Sequence, residues 1–88
     1  MADIHVEPAG NGYSVRVSEG GTETRHEVTI GDAKELAAGY ASEAEFVRAC
    51  FEFLLAREPK EQILRTFDIP VIARYFPEFE EEIRGPVG

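Results

Sequence analysis

The side chains that could do chemistry are few and scattered: one cysteine, Cys50, two histidines, His5 and His26, and a carboxylate run, Glu80, Glu81 and Glu82. A nucleophilic thiol needs partial exposure and nearby positive charge. Cys50 lies instead among Phe46, Val47, Phe51 and Leu54, and reads as a packed core thiol. His26 falls on the apolar side of an alternating segment. An imidazole there is expected to be a core group bonded through one nitrogen, with general-base catalysis or metal ligation as the sharper alternative. His5 and Glu7 share the polar side of the first alternating segment and could touch one cation together. Two ligands on a flat, solvated strand with no third nearby fall short of a metal site. Glu80 and Glu81 follow Pro77 in what should be a first helical turn, where the helix dipole favours negative charge, so the run reads as a solvated helix face. Phosphate-cradling glycine loops, nucleophile elbows and zinc spacings are absent. The sequence thus offers no catalytic, cofactor-binding or metal-binding residue.

What remains is partner contact. Arg16 and Arg25 stand on the polar side of alternating segments. Tyr75 belongs to Arg74-Tyr75-Phe76-Pro77-Glu78-Phe79, three aromatics around a proline. Phe76 and Phe79 are expected inside and Tyr75 at the rim, its hydroxyl in water. The segment is either core packing at a helix corner or the border of a protein-binding groove. Arg16, Arg25 and Tyr75 are the candidate partner-binding residues.

The elements that would carry these residues divide the chain in two. Over 3–30 the side chains alternate with period two, as in half-buried strands. Ile4 and Val6 mark the apolar face of a first strand; Tyr13, Val15 and Val17 that of a second; Thr24, His26, Val28 and Ile30 that of a third. Ala9-Gly10-Asn11-Gly12 and Glu19-Gly20-Gly21-Thr22 supply the glycines that hairpin turns require. With Gly20-Gly21 as the loop, Val17 faces Thr24, Val15 faces His26 and Tyr13 faces Val28. A four-residue first loop sets Val6 opposite Val15 and Ile4 opposite Val17. A slip of one residue would turn each apolar set to the wrong side. The expectation is a three-stranded antiparallel meander with one apolar face that needs a cover.

Residues 32–84 should supply it as four or five helices. Asp32 with Glu35 resembles a capping pair for a short helix over 33–38 that carries Leu36 inward and ends at Gly39. Ser42 with Glu45 is a full capping box opening the strongest helix, 43 to about 57. Ten of the thirteen residues from Ala44 to Ala56 are apolar, so this helix should be central and buried on several sides. Its polar stripe places Arg48 to meet Glu45 and Glu52. Glu58-Pro59 stops it. Residues 60–67 then offer Ile63, Leu64 and Phe67 at helical spacing. Asp68 could cap a helix to 74 or 76 that turns Ile69, Ile72, Ala73 and Phe76 inward, and Pro77 starts a last one with Phe79 and Ile83, terminated by Gly85-Pro86. Residues 85–88 read as a tail, and the whole as one α+β domain.

Composition narrows the function classes. Seventeen acidic against nine basic residues give a net charge of −8 over 88 residues, which repels nucleic-acid phosphates and anionic lipid alike. Forty-three per cent hydrophobic residues suffice for one core in a chain this short. A lone cysteine and the lack of a basic start plus apolar run point to the cytoplasm, and no apolar stretch approaches a membrane span.

Two resemblances follow. The stretch FEFLLAREPKEQILRTFDIPVIARYFPEFEEEI, residues 51–83, resembles a family of small uncharacterised bacterial proteins sharing an "REP…ILR.FD…VI.RYFPE" tail. That resemblance implies no activity and carries no functional residue across. More weakly, a strand over 25–30, a short helix over 33–38 and a longer one over 43–57 look like ribbon-helix-helix DNA-binding proteins such as antitoxins. There Arg25, Glu27 and Thr29 would point into the major groove, where Glu27 and the overall charge oppose phosphate contact. Residues 60–76 could also be misread as a helix-turn-helix, with only Arg74 to offer DNA. The function expected is a non-enzymatic protein-interaction or accessory module, without cofactor, in which an unpaired first or third strand permits homodimerisation or strand addition. The alternative is a ribbon-helix-helix-like regulator.

Overall fold

The computed structural model describes residues 2–84; the expected tail at 85–88, with its Gly85-Pro86 stop, lies outside them. Three strands open the chain, β1 (Asp3–Ala9), β2 (Gly12–Glu19) and β3 (Thr22–Thr29). They form the antiparallel meander in the register that side-chain parity requires, Ile4 opposite Val17, Val6 opposite Val15, Val15 opposite His26 and Tyr13 opposite Val28. The first hairpin is tighter than expected. Ala9 pairs with Gly12, so the loop is the two residues Gly10-Asn11, with Gly10 at φ +58°, a conformation that favours glycine. Gly12 is needed for another reason: a Cβ there would overlap the Val28 carbonyl oxygen.

The sheet holds a fourth strand, β4 (Thr66–Asp68), and runs β1-β2-β3-β4. β4 lies parallel to β3, pairing Glu27 with Thr66, Val28 with Phe67 and Thr29 with Asp68. The expected all-antiparallel, three-stranded sheet is thus a mixed, four-stranded one. The helix expected over 60–67 is only a 3-10 turn at Lys60–Gln62. At Ile63 the backbone extends, with φ −74° and ψ 133°, and the chain enters β4. Phe67 is buried from the strand just as it would have been from a helix.

Among the described residues four α-helical segments follow β3 in sequence: α1 (Lys34–Ala37), α2 (Glu43–Leu55), α3 (Ile72–Tyr75) and α4 (Phe79–Ile83). Ser42 caps α2 as expected, its hydroxyl accepting from the Glu45 N–H at 3.2 Å. Neither aspartate expected as a cap makes a side-chain capping bond, although Asp68 does stand at the N-cap position of the turn that leads into α3. A 3-10 turn at Gly31–Ala33 precedes α1, whose N-cap is Ala33 with no side-chain bond. Asp68 instead accepts from the Thr29 hydroxyl across the β3–β4 pair, and a 3-10 turn at Ile69–Val71 leads into α3. Arg48 forms no ion pair with Glu45 or Glu52.

α2 is the centre of the fold. Phe46, Val47, Cys50, Phe51, Phe53 and Leu54 are all buried, and each fully buried ring or aliphatic group contributes roughly 1.5–3 kcal/mol. Phe51 packs toward the sheet, its ring 5.3 Å from His26 and 6.0 Å from Phe67. Phe53 faces the other way, edge-on to Phe76 at 5.8 Å and Phe79 at 5.1 Å. Arg57, just past the helix, spreads its guanidinium 3.6 Å above the Phe53 ring and donates to Glu78, Glu82 and the Phe53 carbonyl. The Tyr40 hydroxyl donates to the Ile83 carbonyl at 2.6 Å, so α4 is tied at both ends. Among the described residues no helix is long and apolar enough to cross a membrane.

Candidate functional site

Tyr75 and Leu64 are the exposed large hydrophobic side chains of the described residues, at 67% and 47% of full accessibility. Both line one groove of about 170 Å³ between the end of α2, the 3-10 turn after it, and α3. Local structure explains why each points outward. The backbone extends at Ile63, which is buried at 5%, and the chain then bends, leaving Leu64, Arg65 and Thr66 in solvent before Phe67 returns to the core. The main chain cannot rotate to hide it. The Leu64 carbonyl accepts from His26 Nδ1 at 2.8 Å, and the Arg65 carbonyl accepts from the Glu27 N–H at 2.6 Å. Tyr75 closes the single turn of α3, whose inward residue is Ile72. At Phe76 the backbone leaves helical geometry, φ −132° and ψ 89°, which brings that ring onto Phe53 and leaves Tyr75 at the rim.

The groove floor is apolar, formed by Leu54, Ile63, Phe67 and Ile72, and its rim carries Glu58 and Gln62. Partial burial raises the Glu58 carboxyl above its ordinary value, because desolvation disfavours the charged form. None of the described hydrogen bonds or ion pairs involves that carboxylate. The slot is thus apolar, with an unpaired, partly desolvated carboxylate at its edge.

The other chemistry-bearing residues stand elsewhere. Cys50 is fully buried, and desolvation pushes its thiol far above the ordinary value, which suppresses the thiolate. His26 is 2% exposed and bonded through both nitrogens, not one. A carbonyl can only accept, so Nδ1 carries the proton and Nε2 accepts from the Thr24 hydroxyl at 2.9 Å. Burial lowers the pKa of this imidazole, outweighing the opposing bond to Leu64. Its ring is structural. His5 Nε2 lies 3.4 Å from Glu7 Oε1, and among the described residues no three acidic, histidine or cysteine side chains gather as metal ligands.

Arg16 and Arg25 are brought together but apart from Tyr75. They pair directly across β2 and β3, with His5 opposite Arg16 on β1, all three on the sheet face turned away from the helices. Arg25 meets Glu23 at 3.3 Å. Leu64 and Glu58 were not legible as site residues. Helical spacing put Leu64 inward, and only the adjacency of Ile63 and Leu64, which an extended segment cannot bury together, hinted otherwise. Lys60 was missed too: it is 5% exposed, its Nζ donating to Thr22 Oγ1 at 2.5 Å and Glu61 Oε2 at 2.6 Å. No family model, curated protein or solved structure matches the chain.

Proposed function

We propose that this chain is a non-enzymatic protein-interaction module whose groove between α2 and α3 receives an apolar side chain of a partner protein, flanked there by a lysine or arginine. The observation that carries this reading is the convergence of Leu64 and Tyr75 on one cavity, since large apolar side chains left in water together mark contact surfaces. The volume, about 170 Å³, suits one anchoring side chain. Glu58 at the rim and the net charge of −8 favour a cationic neighbour beside that anchor. The ribbon-helix-helix alternative finds less support. Its strand must be free to pair with a second copy, whereas β3 lies between β2 and β4.

The test is a comparison. The wild-type chain and the Leu64→Ser/Tyr75→Ser double variant are immobilised and challenged with extract of the native cell, and bound proteins are identified by mass spectrometry. Surface truncations of this kind should shift stability by no more than about 0.5 kcal/mol. A set of proteins retained by the wild type and lost by the equally folded variant supports the groove. Identical retention overturns it.

A further inference from the structure

The open edge of β1 is a second surface, and its pairing preference can be worked out from the ladder. The Glu27 N–H donates to the Arg65 carbonyl, so the main chain of Glu27 faces β4. Antiparallel ladders alternate. Even-numbered residues of β3 therefore face β2, and through the register of β2 with β1 the odd residues Asp3, His5 and Glu7 face β2. That leaves the N–H and C=O groups of Ile4 and Val6, and the C=O of Pro8, aimed at the open edge. Outside the β1–β2 ladder, none of the described main-chain hydrogen bonds reaches β1.

We propose that two copies of this chain pair Ala2 and the first four residues of β1 antiparallel about a twofold axis at Ile4, joining their sheets into one. Pro8 dictates the register. It has no N–H, so pairing centred on Val6, which would set Ile4 against Pro8, lacks a donor at each end. Pairing centred on Ile4 avoids Pro8 altogether and sets Ala2 opposite Val6 of the second copy. Both are partly buried residues that pack against the core from the margin of the sheet, and each would gain the neighbour it lacks. On the outer face the same register sets Asp3 opposite His5 of the second copy, twice by symmetry. A carboxylate thus meets an imidazole N–H at each crossing, a complementary cross-strand pair. The Val6-centred register would set His5 opposite Glu7 instead, an equivalent pair, so Pro8 is what decides between the two registers. Pairing also removes the exposed ladder that otherwise makes an edge strand a site of indiscriminate association. Two chains of net charge −8 repel one another, so dimerisation should strengthen as salt screens them.

The experiment has two parts. Sedimentation equilibrium should show the mass rising from 9.8 kDa toward twice that value with protein concentration, at lower concentration when salt is raised. Val6→Pro deletes one outward donor and spares the β1–β2 ladder; with an unchanged circular-dichroism spectrum it should stay monomeric. For the register, Asp3→Cys and His5→Cys variants are mixed and oxidised. Both positions are exposed, so neither substitution threatens folding, and the buried Cys50 leaves only the introduced thiols to react. Asp3→Cys with His5→Cys should give a disulfide-linked dimer, and His5→Cys with Glu7→Cys, which tests the Val6-centred register, should not. A wild-type chain that stays monomeric at the highest soluble concentration and raised salt overturns the proposal, as does preferential linkage of the His5→Cys and Glu7→Cys pair.

Discussion

His26 Nδ1 lies 2.8 Å from the Leu64 carbonyl oxygen, so a buried imidazole in the third strand holds the backbone that presents one wall of the groove. The hydrogen bond spans 38 residues of sequence and joins sheet to groove through a group that burial keeps neutral. Desolvating a protonated imidazole would cost more than this carbonyl returns.

Stability should therefore depend on pH through His26. Its folded-state pKa lies below the ordinary 6.5, so as pH falls the unfolded chain takes up the proton first. The contribution is intact above that value and is lost as pH drops below it, down to the folded pKa, with a slope of at most about 1.4 kcal/mol per pH unit. Urea midpoints between about pH 7.5 and pH 5.5 should fall for the wild type. His26→Gln, which can still donate to Leu64 but does not titrate, should show a flatter profile. The raised Glu58 carboxyl acts in the opposite sense at lower pH and is common to both proteins, so the difference between them isolates the imidazole.

The two glycines of the first hairpin should respond differently to alanine. At Gly10, φ is +58° and a Cβ would meet open space, so the cost is conformational, about 1 kcal/mol. At Gly12 the Cβ would overlap a main-chain oxygen of β3, and the strands must separate to admit it. Gly12→Ala should cost more than about 2 kcal/mol or prevent folding, which denaturant titration of the pair will measure.

Arg57 should govern the attachment of α4. Its contacts with Glu78 at 3.1 Å, Glu82 at 3.0 Å and the Phe53 ring need a planar, forked cation, which lysine does not supply. Arg57→Lys should accelerate amide hydrogen exchange at Glu82 and Arg84, whose N–H groups donate to the Glu78 and Glu80 carbonyls, while leaving the β2 and β3 amides protected. Uniform acceleration throughout would show that α4 has no separate opening.

Cys50 should ignore thiol reagents in the native protein and react only through unfolding. It is fully buried and burial raises its pKa far above neutrality, so both access and thiolate fraction are suppressed. Labelling rates should track the urea-dependent unfolding rate. Rapid labelling in native buffer would show that α2 is not enclosed as described.

The meander and α2 were legible because each is specified locally. Period-two alternation fixed the register, since any slip would have buried Arg16 or Arg25, and the Ser42-Glu45 box marked where the long helix starts. β4 was not legible, for two reasons. Its three residues carry one inward side chain, Phe67, whose four-residue spacing from Ile63 equally fits a helix, and its partner, β3, is distant in sequence. Asp68 and Asp32 looked like caps, but Asp68 spends its carboxylate on Thr29, and the positive φ of Gly31, +56°, turns the chain into a 3-10 segment before Asp32 can act. Tyr75 was placed at a rim correctly by its aromatic neighbours. Leu64 was lost because its exposure depends on two carbonyl bonds to a strand some forty residues earlier.

The three-residue strand β4 has a consequence for truncation. It occupies the outer flank of β3 from Glu27 to Thr29, and its residues, Thr66–Asp68, are made well after those of β3. A chain cut short before Thr66 would retain the meander and α2 yet leave donors and acceptors of β3 bare beside Val28. Such a fragment should be prone to polymerise, and the closing segments therefore act as a safeguard completed only when synthesis has passed Asp68.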